Sequence, residues 1–154
     1  TLSFWPWSLL SQPAPLPEQL ISRSPEAIVD DAVSQWGTPA SCFPHDVREA
    51  YAASLRDAKR VHAICEEFRS AATLDRDHDE ADLRAARKIR CPLLLLWDGS
   101  GALAQWYGDL GGPIGVWLRW ADDVRGRPMA GGHFFPESEP ETTAEELRKF
   151  FLEA

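Results

Sequence analysis

Basic residues are scarce and scattered. The chain carries 16 Lys and Arg against 24 Asp and Glu, a formal net charge of −8, and no Lys/Arg cluster stands out. Such a surface repels nucleic-acid phosphates and anionic headgroups, which excludes both as partners. No uninterrupted apolar run approaches the ~20 residues of a bilayer span, and the first residues lack the basic start of a signal peptide. Cysteine is sparse too. Cys42, Cys65 and Cys91 are an odd number, with neither C-x-x-C spacing nor His neighbours at zinc-finger distances. They read as reduced, mostly buried thiols of a cytoplasmic protein. What is present is ordinary: 154 residues, 44% hydrophobic, suffice for one globular domain, or part of one, with a real core.

Strand-like alternation is also missing from the first half. From Thr1 to about Arg90 the periodic segments read as helix. Leu2 to Leu10 is an aromatic amphipathic turn or two, and the proline-studded stretch Gln12 to Pro17 forbids its continuation. Ser24-Pro25-Glu26 reads as a helix start, with Gly37 as the C-cap after Trp36. Two more helices are expected over about Pro44–Leu55 and Asp57–Ala72, the second burying Val61, Ile64, Cys65 and Phe68 on one face. A short helical piece is expected over Asp82–Lys88.

After Arg90 the pattern changes. Cys91-Pro92-Leu93-Leu94-Leu95-Leu96-Trp97 is a continuous apolar run of the kind buried on both faces of a parallel sheet. A Gly-rich loop then leads to a helix over about Pro113–Ala121, followed by a second strand over Val124–Ala130. Gly131-Gly132-His133 comes next, and a last helix is expected to open on a capping box at Thr142/Thr143 with Glu145 or Glu146. Strand, helix, strand, His-bearing loop and helix make half of an α/β sheet.

This order, with L-L-L-W, G-H-F and L-R-K-F-F at its landmarks, resembles the C-terminal end of the α/β-hydrolase fold. The stretches Trp7 to Glu18 and Cys65 to Ala71 are similar to the helical cap of haloacetate dehalogenases, the group that includes fluoroacetate dehalogenases. The resemblance implies an α/β fold that is incomplete: a helical cap over residues 1–88, then the last two parallel strands and flanking helices of the core over 89–154. It implies that His133 is the catalytic base, removing a proton from the water that hydrolyses an ester formed between a carboxylate and the substrate carbon. Gly131 and Gly132 would let that loop turn tightly, and Phe134 and Phe135 would anchor it. In fluoroacetate dehalogenases a His-Trp pair and a Tyr hold the leaving halide; those positions read Pro6-Trp7 and Phe68 here, which leaves only the Trp7 indole N–H as a donor. Chloride or bromide is therefore expected before fluoride. No cofactor and no metal are implied. The expected partner is a small haloacid-like molecule, and a homodimer is compatible with the family.

The nucleophile is absent from the sequence. Its elbow needs Gly two residues before and two after it, and the positions flanking Ser100 are Asp98 and Ala102. The orienting acid is also unplaced, because the position that many α/β hydrolases use for it is Gly101. With a start at Thr1 rather than Met, the expectation is the C-terminal part of a larger protein, inactive and aggregation-prone by itself. The alternatives are an epoxide- or ester-hydrolase relative and a non-catalytic helical interaction module. Asp75 to Glu80 alternates carboxylates like a calcium loop but has Glu80 where Gly is required, and the same run matches an acidic connector between cap and core. His45, His62 and His78 lack partners at metal spacing and read as surface or packing residues.

Overall fold

The computed structural model describes residues 5–153, so Leu2 and Phe4 of the expected first helix lie outside the described residues. The chain divides into two compact units, Thr1–Ala32 with Pro44–Ala81, and Val33–Phe43 with Asp82–Ala154.

The first unit is helical. It contains α1 (Trp5–Leu10), α2 (Leu16–Arg23), the larger part of α3 (Pro25–Gln35), α4 (His45–Arg56), α5 (Ala58–Ala72) and the first part of α6 (Leu74–Arg84). Helix α5 is central, packing against α1, α2 and α4. Its start is fixed by Asp57, whose carboxylate accepts from the N–H groups of Lys59 and Arg60. Its apolar face is the one expected: Val61 and Cys65 are fully buried beside Leu10 and Ile21, with Ile28, Leu55, Ile64 and Phe68 packed around them. Each such aliphatic side chain contributes roughly 1.5–3 kcal/mol on complete burial. Arg69 staples this core from its rim. The guanidinium donates Nε to Gln12 O at 2.9 Å, Nη2 to Glu18 Oε1 at 2.6 Å and Nη1 to Glu66. Burial of Glu18 would push its pKa up, but the bonds from Arg69 and His62 outweigh it and hold the carboxyl below the usual glutamate value.

Two expectations are corrected along this part of the chain. Helix α2 begins inside the proline-rich connector, with Pro17 in its first turn; early helical N–H groups have no intrahelical acceptor, so a proline there costs no bond. The short helix expected over Asp82–Lys88 is instead the end of α6, which takes in the whole acidic run Asp75–Glu80. Neither Gly nor Pro interrupts that stretch, and Asp75 and Asp77 in the first turn suit the helix dipole. The helix stops where Ala86 turns left-handed and Arg87 N–H bonds Asp82 O at 2.9 Å.

The second unit holds a two-stranded parallel sheet. Strand β1 (Leu93–Asp98) pairs with β2 (Val124–Met129) in the register Leu93 to Val124 through Asp98 to Met129. Parallel strands need a long crossover. Here it contains α7 (Ala102–Trp106), a 3-10 turn (Gly108–Leu110) and α8 (Gly112–Trp117), so most of the expected Gly-rich loop is helical and the following helix ends earlier than expected. Every residue of β1 is half-buried, where the apolar run predicted burial on both faces. Complete burial requires a full layer on each side of a sheet, and this sheet has two strands. Cys91, in the bend before β1, is correspondingly exposed; Cys42 is half-buried and only Cys65 is buried. The chain closes with α9 (Phe135–Ser138) and α10 (Pro140–Glu153). Thr142 and Thr143 lie inside α10 rather than capping it, because Pro140 starts the helix and Thr143 Oγ1 bonds back to Glu139 O at 2.8 Å.

Among the described residues, no helix is long and apolar enough to cross a membrane.

Candidate active site around His133

His133 sits four residues beyond the end of a short parallel strand, and two glycines carry the chain there. Gly131 and Gly132 adopt φ of +93° and +79°, a region that L-residues rarely enter. Space is equally demanding. A Cβ on Gly131 would lie 2.1 Å from Ser138 Oγ, and one on Gly132 would lie 2.3 Å from both Gly37 C and Thr38 N. The glycines thus bring the His loop into backbone contact with the segment Trp36-Gly37-Thr38, as the sequence suggested for a tight turn.

Three hydrogen bonds fasten that contact. His133 N–H donates to Trp36 O at 2.8 Å. Thr38 Oγ1 donates to Gly131 O at 2.6 Å and accepts from Phe134 N–H at 2.9 Å. Ser138 Oγ adds a second donor to Gly131 O at 3.0 Å. Aromatic packing continues from there: Trp36 stacks on Phe134 with ring centres 5.6 Å apart, and Phe134 meets the buried Phe43 edge-on at 5.5 Å. Phe134 anchors the loop through these rings; Phe135, half-buried like Phe134, starts α9.

The imidazole itself remains exposed. It stands edge-on to Trp36 at 4.9 Å and to Phe134 at 5.1 Å. Desolvation by these neighbours pushes its pKa below the ordinary histidine value, and the Asp98 carboxylate pulls it partly back. A ring that is neutral at neutral pH and open to solvent can accept a proton from water. Asp98 ends β1, and its Oδ1 accepts from Ser100 N–H at 2.9 Å and Ser100 Oγ at 2.7 Å. Gly101 makes this turn feasible, since a Cβ there would lie 2.6 Å from Asp98 Oδ2.

The other two candidate residues meet each other in the helical unit. Trp7, at the start of the cap sequence, and Phe68, on α5, are edge-on with ring centres 5.0 Å apart. Trp7 is 46% exposed and Phe68 half-buried, while Pro6 is buried. Sequence reasoning did not single out Thr38. Its only local signal is a small polar residue after the Gly37 C-cap, and its importance lies in bonds to residues more than ninety positions away. Among the described residues, no group of three or more His, Cys, Asp or Glu is placed to hold a metal. A groove of about 200 Å³ between β2 and α10 is lined by Arg125, Arg127, Glu146 and Lys149, and does not include His133. Its charges largely satisfy one another, with Arg127 and Lys149 each 3.6–3.7 Å from Glu146.

No family model matches the chain. Over 99% of its length it is 33% identical to a fluoroacetate dehalogenase from a Burkholderia species, covering 48% of that protein. The chain therefore spans about half the length of this relative. Among solved structures, an α/β hydrolase from Nostoc, provisionally assigned, is 35% identical with a TM-score of 0.85, over 97% of this chain and 50% of that one. A Pseudomonas aeruginosa protein provisionally assigned as an epoxide hydrolase is 33% identical with a TM-score of 0.85, over 99% and 49%. A Salmonella enterica protein provisionally assigned as an acyltransferase gives 34% and 0.85, over 99% and 48%. The chain carries an incomplete α/β-hydrolase fold, a helical cap followed by two parallel strands and flanking helices, and is similar over nearly its whole length to a fluoroacetate dehalogenase.

Proposed function

We propose that these residues are the cap, 1–88, and the His-bearing core portion, 89–154, of a cytoplasmic hydrolase that cleaves the carbon–halogen bond of a small haloacid. The observation that supports this reading best is the exposed, neutral-leaning imidazole of His133 on a loop fixed by backbone contacts. The chemistry proceeds in two steps. A carboxylate, supplied by residues other than these 154, attacks the halogen-bearing carbon; a C–O bond forms, the C–X bond breaks, and halide leaves with the electron pair. His133 then takes a proton from water as the oxygen adds to the ester carbonyl; collapse of that adduct breaks the acyl C–O bond, the leaving alkoxide takes the proton of the added hydroxyl to become the hydroxyacid, the carboxylate is restored, and His133 gives its proton up to solvent.

Trp7 is the proposed donor to the leaving halide, with Phe68 as an apolar neighbour. Neither Pro6 nor Phe68 can donate a hydrogen bond, so chloride and bromide are favoured over fluoride, which depends on strong donors to leave. The test is chloride release from chloroacetate by the full-length gene product, compared with His133→Ala and accompanied by trapping of the ester. Accumulated ester with turnover lost in the variant is the expected result. Unchanged turnover sinks the assignment of His133.

Epoxide hydrolysis is the second reading, favoured by the likeness to the Pseudomonas protein. There the carboxylate would break a ring C–O bond and form a hydroxyalkyl ester, the ring oxygen taking a proton from solvent, and no halide would be released. Chloride release separates the two.

A further inference from the structure

We propose that Thr38 is a positioning residue for His133: its hydroxyl, bonded on both sides of the imidazole-bearing residue, sets where the ring stands. The inference rests on the reading of His133 as the base, and extends it to a residue far away in sequence.

Thr38 is a buried polar residue, 5% exposed, at a point where the chain enters the second unit from α3. A buried hydroxyl costs free energy unless both its donor and acceptor capacities are used. Here they are, and on one target. The O–H donates to Gly131 O, two residues before His133, and the lone pair accepts from Phe134 N–H, one residue after it. Between those bonds His133 N–H reaches Trp36 O. Residues 131–134 are therefore held at three points by residues 36–38. Both glycines of the loop are at positive φ, so nothing in the local backbone preference of the chain would keep it in this shape without the cross-bonds. The same segment supplies the Trp36 ring against the imidazole edge, which couples the position of the clamp to the environment of the ring. Thr38 touches no reacting atom. Its effect passes through the backbone of His133.

Two substitutions separate the hydroxyl from the shape of the side chain. Thr38→Ser keeps donor and acceptor; Thr38→Val keeps the volume and loses both. In the full-length gene product labelled with 13C-histidine, the His133 resonance, assigned by its loss in His133→Ala, is expected to hold its shift and its depressed pKa in Thr38→Ser. In Thr38→Val it is expected to broaden or move toward the values of a free imidazole. In parallel, kcat for chloroacetate should fall by roughly ten- to a hundredfold in Thr38→Val with KM changed less than about twofold, and Thr38→Ser should stay within about threefold of the parent. An unmoved resonance in Thr38→Val overturns the proposal, and so does a displaced one in Thr38→Ser, which decides the matter if Thr38→Val does not fold. If the parent releases no halide, the dehalogenase reading fails while the resonance still tests the positioning role.

Discussion

Gly132→Ala is the substitution whose cost can be worked out most directly from the geometry. Two penalties add. At φ +79° an alanine pays about 1–2 kcal/mol for the left-handed conformation. Its Cβ would also lie 2.3 Å from Gly37 C and Thr38 N and 2.6 Å from Gly37 O, all backbone atoms that no rotamer change can move aside. Relief requires the His loop to separate from residues 36–38, which weakens the two Thr38 bonds and the bond from His133 N–H to Trp36 O. At about 1 kcal/mol each these give roughly a further 2–3 kcal/mol, for a total near 3–5 kcal/mol. Two other glycines serve as internal standards. Gly112 has φ +70° with nothing within 4 Å of an added Cβ, so Gly112→Ala isolates the conformational penalty. Gly108 is open in space and has no positive φ, so Gly108→Ala should be neutral within about 0.5 kcal/mol. Chemical denaturation at constant m of the full-length gene product gives all three values. If Gly132→Ala costs no more than Gly112→Ala, the backbone contact between the His loop and residues 36–38 does not exist as described.

Other outcomes follow from the electrostatics and the cap. Desolvation lowers the His133 pKa and Asp98 raises it, so Asp98→Asn should lower it further and, on the proposed role of His133 as the base, move the acidic limb of the kcat/KM profile to lower pH; a move to higher pH refutes the sign. Glu18 has a depressed pKa in the folded state despite the opposing effect of burial. Its stabilisation is present above the ordinary glutamate value of 4.5 and is lost as pH falls through the folded value, so Glu18→Gln should lower the thermal midpoint at neutral pH and shrink the loss of stability below about pH 4.5. Arg69→Lys should recover only part of what Arg69→Met loses in thermal midpoint, since an ammonium cannot span Gln12 O, Glu18 and Glu66 as a planar fork does; equal midpoints would show that the fork geometry is immaterial.

Much of this architecture was legible in the linear chain. The three- and four-residue spacing of Val61, Ile64, Cys65 and Phe68 identified the buried face of α5, because a helix repeats its surface on that period. The apolar run after Pro92 and the glycines before His133 likewise marked β1 and a sharp turn, features decided by local sterics and hydrophobicity. Local rules also misled where a competing local rule won: Pro140, not the Thr142/Thr143 pair, starts α10, and an uninterrupted acidic run folded as α6. What no local rule could supply was the union of Trp36-Gly37-Thr38 with the His loop. That contact joins residues more than ninety positions apart through backbone groups that every residue type shares, so it leaves no compositional trace. Only tertiary packing decides which carbonyl receives the His133 amide, and with it where the imidazole stands.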